Sequence, residues 1–121
     1  MRNVYNTGAV KAENGAAGGL IGRFRYGGLS NAYTVGSVKG EKAGAVAGGL
    51  EFDSGAKSFE SVFYLSGIAD AVIGDENGCA VQTGRAEGCT EKELKALAEK
   101  LGSGFTADSG SINKGYPVLS W

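Results

Sequence analysis

The string GAAGGLIG, Gly15 to Gly22, has a near-copy downstream in GAVAGGLE, Gly44 to Glu51. A glycine cluster that occurs once reads as a ligand loop. One that returns with its neighbours reads as a structural period, and a period narrows the fold more than any other feature of this chain. The self-similarity extends well beyond the glycines. NVYNTGAVKAENGAAGGLIG begins at Asn3, and NAYTVGSVKGEKAGAVAGGLE begins at Asn31. Tyr5 answers Tyr33, Gly8 answers Gly36 and Val10 answers Val38, all at one common offset. The glycine elements align as Gly18-Gly19-Leu20 with Gly48-Gly49-Leu50, at a slightly larger offset, which gives the second copy the longer linker. A third, partial copy opens at SVFYLSGIA, where Phe63 answers Tyr33 and Gly67 and Ile68 follow.

Within each unit the apolar pieces are short. Val4-Tyr5, Ala9-Val10, Leu20-Ile21 and Phe24 are separated by Asn, Gly and charged residues, and no 3.6-residue periodicity persists. A unit of this length holds about three strands of roughly 4–6 residues with their turns. Units of that kind stacked on one another predict a mainly β fold, a short β-solenoid. The bias of β-crossovers makes it right-handed. Glycine then lets neighbouring backbones approach closely, and Ala16, Ala17, Ala45 and Ala47 suit the same narrow interior. Leu20 and Leu50 are expected to point inward and stack. A phosphate loop is disfavoured, because the clusters match neither G-x-x-x-x-G-K-[ST] nor G-x-G-x-x-G and no helix pattern follows them.

The aromatic, the NTG-x-V run and the GGLIG element together resemble the GLUG repeat. That repeat occurs in bacterial surface proteins, adhesins and the non-catalytic parts of IgA-cleaving peptidases. YNTGAVKAENGAAGGLIG carries the likeness most closely. In the second copy, GGLEF, Glu51 stands in place of the final glycine and Phe52 follows, which implies a modified edge. VFYLSGIADAVIG, the T-x-x-E-L sequence and NKGYPVLSW resemble segments that close such arrays. The resemblance covers nearly the whole chain. It implies one domain over residues 1–121: two GLUG-like repeats over 3–60, a partial third repeat and loop over 61–89, and a helix and strand cap over 90–121.

CTEKELKALAEKLG predicts one capping α-helix near residues 91–101. Thr90 and Glu93 form a capping box, Leu94, Leu97, Ala98 and Leu101 make one apolar stripe, and Gly102 suits a C-cap. GYPVLSW reads as a terminal strand, with Pro117 near its start. Helix and strand are expected to cover an open end of the stack, with Trp121 as part of that cover.

The chain has 121 residues, 42% of them hydrophobic, and a net charge of -1, so it folds and carries no footprint for nucleic acid or an anionic membrane. No apolar run reaches the ~20 residues that cross a bilayer, and MRNVYNTG has no signal-peptide core. An export signal, if used, lies outside this chain.

Histidine is absent, which removes Ser-His-Asp, Cys-His and H-E-x-x-H chemistry. Asp70, Asp75, Glu76 and Asp108 are the acids available to a carboxylate pair, but no spacing brings two together. GDENG, Gly74 to Gly78, lacks the calcium-loop spacing and reads as an Asx-type turn. Two cysteines without histidine do not make a zinc site. Cys79 and Cys89 are instead candidates for a disulfide, with two unpaired thiols as the alternative. In RFRYGG, alternation places Arg23 and Arg25 on one strand face and Phe24 and Tyr26 on the other.

No catalytic, cofactor or metal site is expected. The reading that follows from the resemblance is a non-catalytic structural or presentation module of a bacterial cell-surface or secreted protein, a stalk or adhesin segment beside neighbouring domains. The alternatives are a module that binds a glycan or host protein through Tyr26, Tyr33, Phe63, Tyr64 or Trp121, and an accessory domain of a surface peptidase.

Overall fold

The strand-forming pieces are short because glycine, asparagine and serine interrupt them every few residues, so the backbone bends before a long ribbon can form. The structure, a computed structural model, describes residues 2–12, 15–24, 27–50, 57–69, 71–75, 86–101, 104–110 and 113–119. A first pass of the chain lays down β1 (Arg2–Asn6), β2 (Val10–Lys11), β3 (Ala16–Gly18) and β4 (Ile21–Phe24). A second pass repeats the order with β5 (Gly27–Thr34), β6 (Val38–Lys39), β7 (Lys42–Gly44) and β8 (Ala47–Leu50). β9 (Lys57–Leu65), β10 (Ile73–Asp75) and β11 (Ala86–Cys89) follow. Every strand of the second pass pairs in parallel with its counterpart in the first. The largest sheet has the order β1-β5-β9-β11, and a second has the order β10-β8-β4. The fold is therefore mainly β and built on parallel sheets. Each complete pass has four strands rather than the expected three, two of them very short.

The aromatic alignment matches the register. Tyr5 pairs with Tyr33, Tyr33 with Phe63, and Val10 with Val38. The glycine alignment does not. Gly18 pairs with Gly44 and Ile21 with Ala47, so the second linker is shorter than the first, not longer. Leu20 has Val46 as its counterpart rather than Leu50: the Leu20 N–H donates to the Val46 carbonyl at 3.0 Å, and the Val46 N–H donates to the Val72 carbonyl at 3.0 Å. Leu50 sits opposite Phe24. The recurring element is thus GLIG, AVAG and AVIG, and Gly48 occupies the place of Gly22. The inferred replacement of that glycine by Glu51 does not hold. Glu51 and Phe52 lie outside the described residues.

Asn3, Asn31 and Ser61 occupy one column and all have left-handed backbones, with φ of 57°, 52° and 52°. Asparagine tolerates this region better than other side-chain-bearing residues. The conformation acts as a bulge repeated in register. It resets the in–out alternation, so Leu29 and Ala32 join one buried cluster although an odd number of steps separates them, as do Phe59 and Val62. Ala47 and Ile73 of the second sheet, with Val46 just before β8, close that cluster.

Glycine lets the β3–β7 pair lie close against the sheet of β4, β8 and β10. A Cβ on Gly44 would strike the carbonyl of Ala47 and the N–H of Gly74, and would lie 2.8 Å from Ile73 Cα. The close-approach reading of the glycines is correct, although it applies to a different alignment from the one the repeated tripeptide suggests.

Candidate functional site

The outer face of the four-stranded sheet carries Tyr5, Tyr33 and Phe63 in one column. The Tyr5 and Tyr33 rings stack with centroids 5.3 Å apart and planes 6° from parallel. Of this column, the sequence offers Tyr33 and Phe63 as candidate ligand contacts. The C-terminal segment covers both instead. Tyr33 is fully buried and Phe63 is 6% exposed, so neither offers a surface to a ligand.

The covering layer begins at α1 (Glu91–Lys95), continues through a 3-10 turn (Leu97–Glu99) and ends in β12 (Phe105–Thr106) and β13 (Val118–Leu119), which pair antiparallel. The capping box forms as expected. The Glu93 N–H donates to Thr90 Oγ1 at 3.2 Å, and the Thr90 N–H donates to Glu93 Oε1 at 3.0 Å. The Thr90 backbone N–H, and after it the Thr90 side chain, favours the ionised form and holds the Glu93 carboxyl below its usual range. The α-helix proper covers only Glu91–Lys95, short of the expected span to residue 101. An isolated helix of that size is marginal, so docking sets where it ends. The turn into 3-10 geometry at Ala96 brings Leu94, Leu97 and Leu101 all into the buried cluster with Phe63, Cys89, Phe105 and Tyr116. Gly102, the expected cap, lies outside the described residues.

Polar contacts then lock the layer to the sheet. The Tyr33 hydroxyl donates to the Pro117 carbonyl. Asn113 Nδ2 lies 3.0 Å from that hydroxyl oxygen and 3.2 Å from the same carbonyl. Asp108 Oδ2 accepts the N–H groups of Asn113 at 2.6 Å and Gly115 at 3.0 Å, which fixes the turn that presents Asn113. Burial pushes the Tyr33 phenol upward, because the phenolate would be stranded away from water. Phe105 packs on both sheet tyrosines, with ring centroids 6.4 Å from Tyr5 and 6.0 Å from Tyr33. The layer therefore lies along the side of the sheet, across adjacent passes, rather than over an open end alone.

The remaining candidates separate cleanly. Tyr64 is half-buried and packs beside the inner cluster. Cys89 is a buried free thiol, and burial together with Glu87 and Glu93 pushes its pKa upward. Cys79, Tyr26 and Trp121 lie outside the described residues, as do Asp70 and Glu76. Arg23, Phe24 and Asp75 are placed by their strand backbones alone. Among the described acids, Asp108 is engaged as a turn-holding acceptor. Nothing local in the sequence marks Asp108 and Asn113 for this role, because the turn they build meets Tyr33 from the far end of the chain. The recurrence of Asn3 at Asn31 is a visible signal for the bulge column.

At the first-pass edge a groove of about 420 Å³ is lined by Val4, Tyr5, Asn6, Val10, Gly18, Gly19 and Leu20. Asn6 Nδ2 donates to the carbonyls of Gly8 at 2.8 Å and Gly19 at 3.0 Å, tying the turn after β1 to the bend between β3 and β4. No helix among the described residues is long and apolar enough to cross a membrane. Comparison with protein-family models, curated proteins and solved structures gave no match.

Proposed function

We propose that the chain is a short right-handed β-solenoid of GLUG-like passes, and that it serves as a non-catalytic presentation module of a bacterial cell-surface or secreted protein. It would be a stalk or adhesin segment that holds neighbouring domains apart. The observation that carries this reading is the register itself: β1, β5, β9 and β11 run parallel side by side, and the short strands that follow β1 repeat in the same order after β5. A repeated parallel stack gives length and rigidity from a short sequence pattern. The handedness follows the general bias of parallel crossovers. The use of buried polar groups also favours a scaffold. Tyr33, Asn113 and Asp108 spend their hydrogen bonds on holding the covering layer.

The test is a glycan and host-matrix array probed with the purified domain. A folded domain that binds nothing supports the stalk. Saturable binding abolished by Tyr64→Ala overturns it in favour of a binding module. Antibodies to the domain are expected to label intact cells, and labelling only after permeabilisation overturns the surface assignment.

A further inference from the structure

β1 and β4 are edge strands of their sheets, and the first pass has the composition of an interior one. Val4, Tyr5, Val10 and Leu20 are half-buried, whereas their second-pass counterparts Ala32, Tyr33, Val38 and Val46 are at most 4% exposed. A terminal repeat adapted to water carries polar residues on its outer face. Here the exposed end keeps apolar ones.

The glycines make the argument sharper. Gly48 is glycine because the first pass lies in the way: a Cβ there would sit 2.7 Å from both the Ala17 N–H and the Gly22 carbonyl. Gly74 repeats this against the second pass, 2.7 Å from the carbonyls of Lys42 and Gly48. Gly22 heads the same column, yet among the described residues nothing lies within 4 Å of its Cβ direction, and its φ is not left-handed. A second column behaves alike. A Cβ on Gly36 would strike the Gly8 carbonyl of the preceding pass, whereas among the described residues a Cβ on Gly8 meets only Asn6 Oδ1, at 3.5 Å. Gly22 and Gly8 thus keep a clearance whose purpose is absent from their own surroundings.

We propose that the first-pass edge is built to receive one more parallel pass of the same repeat pattern. That pass would enter β1 directly in cis, place an aromatic over Tyr5, and lay its backbone against Gly8 and Gly22. The interface is the one already formed twice between successive passes, continued by one step. The inference rests on the stacked-pass reading above.

The test is a pair of extended chains. One carries a duplicate of residues 3–30 joined ahead of Asn3; the other carries the same residues scrambled. An unassociated tail leaves the domain folded, so both report. The matched extension is expected to slow hydrogen exchange of β1 amides about tenfold or more. It is also expected to make Gly22→Ala costly, lowering the folding constant about tenfold, while the same substitution is near neutral in the unextended and scrambled chains. A matched extension that behaves like the scrambled one, with β5 amides still protected, overturns this proposal alone. β5 amides unprotected in every chain overturn the stacked-pass reading together with it. If the unextended chain dimerises and protects β1 by itself, the occupant is a second copy and the proposal fails.

Discussion

Replacing Gly48 by alanine adds one methyl group and asks whether the passes touch through bare backbone. The neighbours of the new Cβ would be the Ala17 N–H at 2.7 Å, the Gly22 carbonyl at 2.7 Å and the Ala17 carbonyl carbon at 2.8 Å. Real Cβ contacts stay well beyond these distances, and every obstacle is main chain, so no side-chain rotation relieves the clash. The strands must separate locally to admit the methyl group. Overpacking of a filled core costs roughly 1–3 kcal/mol. Rigid obstacles place Gly48→Ala at the upper end, about 3 kcal/mol. For a domain of 121 residues each kcal/mol moves the midpoint by roughly 4 °C, so a drop of about 12 °C is expected.

Gly22→Ala is the internal control, because it is the same substitution one pass earlier in the same column. The space left by the described residues and a φ outside the left-handed region make it neutral, or stabilising by about 0.4–1 kcal/mol through the stiffer unfolded chain. Urea unfolding followed by circular dichroism measures both. Equal stabilities for the two variants, to within about 0.5 kcal/mol, the ordinary scatter of a surface substitution, would falsify the claim that these glycines are spacers between passes.

Tyr33→Phe removes the hydroxyl that reaches Pro117 and Asn113 while keeping the ring stack. A loss of about 1–2 kcal/mol is expected in thermal unfolding, with earlier proteolysis of the C-terminal layer; unchanged stability means the layer is held by packing alone. Ser61 occupies a left-handed site that asparagine fills in the two preceding passes, so Ser61→Asn should stabilise by a few tenths of a kcal/mol, roughly the tolerance difference between the two residues, whereas Asn31→Val should cost about 1–2 kcal/mol; reversed signs in denaturant titrations argue against the bulge column. Burial raises both Cys89 and Tyr33 above their ordinary values, so the folded state keeps protons that the unfolded state releases. Their contribution is fully present below the ordinary thiol value of about 8.5, and stability should fall as pH rises through that value and again beyond about 10. Cys89→Ala should remove the first decline and leave the second; a profile unchanged by that substitution refutes the assignment.

Which parts of this structure are legible in the sequence depends on what each residue is chosen for. Tyr5, Tyr33 and Phe63 announce their column correctly, because an aromatic on a covered face is hard to replace and its spacing survives. The repeated GGL tripeptide misleads for the opposite reason. Between closely packed sheets the requirement is smallness at one position and modest apolar bulk at the next two, so GLIG, AVAG and AVIG are equivalent although only the final glycine is common to all three. Identity then favours Leu50, while hydrogen bonding chooses Val46. The leucine stripe predicts too long a helix because it fits an α-helix and a 3-10 turn alike over so short a stretch; docking decides between them.

The covering layer marks where a one-dimensional reading runs out. Capping box, leucine stripe and terminal strand are each visible locally, but nothing local says which surface they bury. That is decided by the second face of the parallel sheet. A strand with both faces apolar must be covered on both. Ala32, Val62 and Thr34 face inward, Tyr33 and Phe63 face outward, and all five are buried. A four-stranded sheet of that kind is stable only with a partner on its outer side, and Leu94, Leu97, Leu101, Phe105 and Tyr116 supply the apolar surface, at roughly 1.5–3 kcal/mol for each large side chain fully removed from water. The layer is therefore as much a part of the core as the passes are. Once it is placed, Tyr33 and Phe63 are closed to ligands, and the apolar first-pass edge, which includes half-buried Tyr5, remains as the surface that lacks, among the described residues, the neighbours its counterparts have.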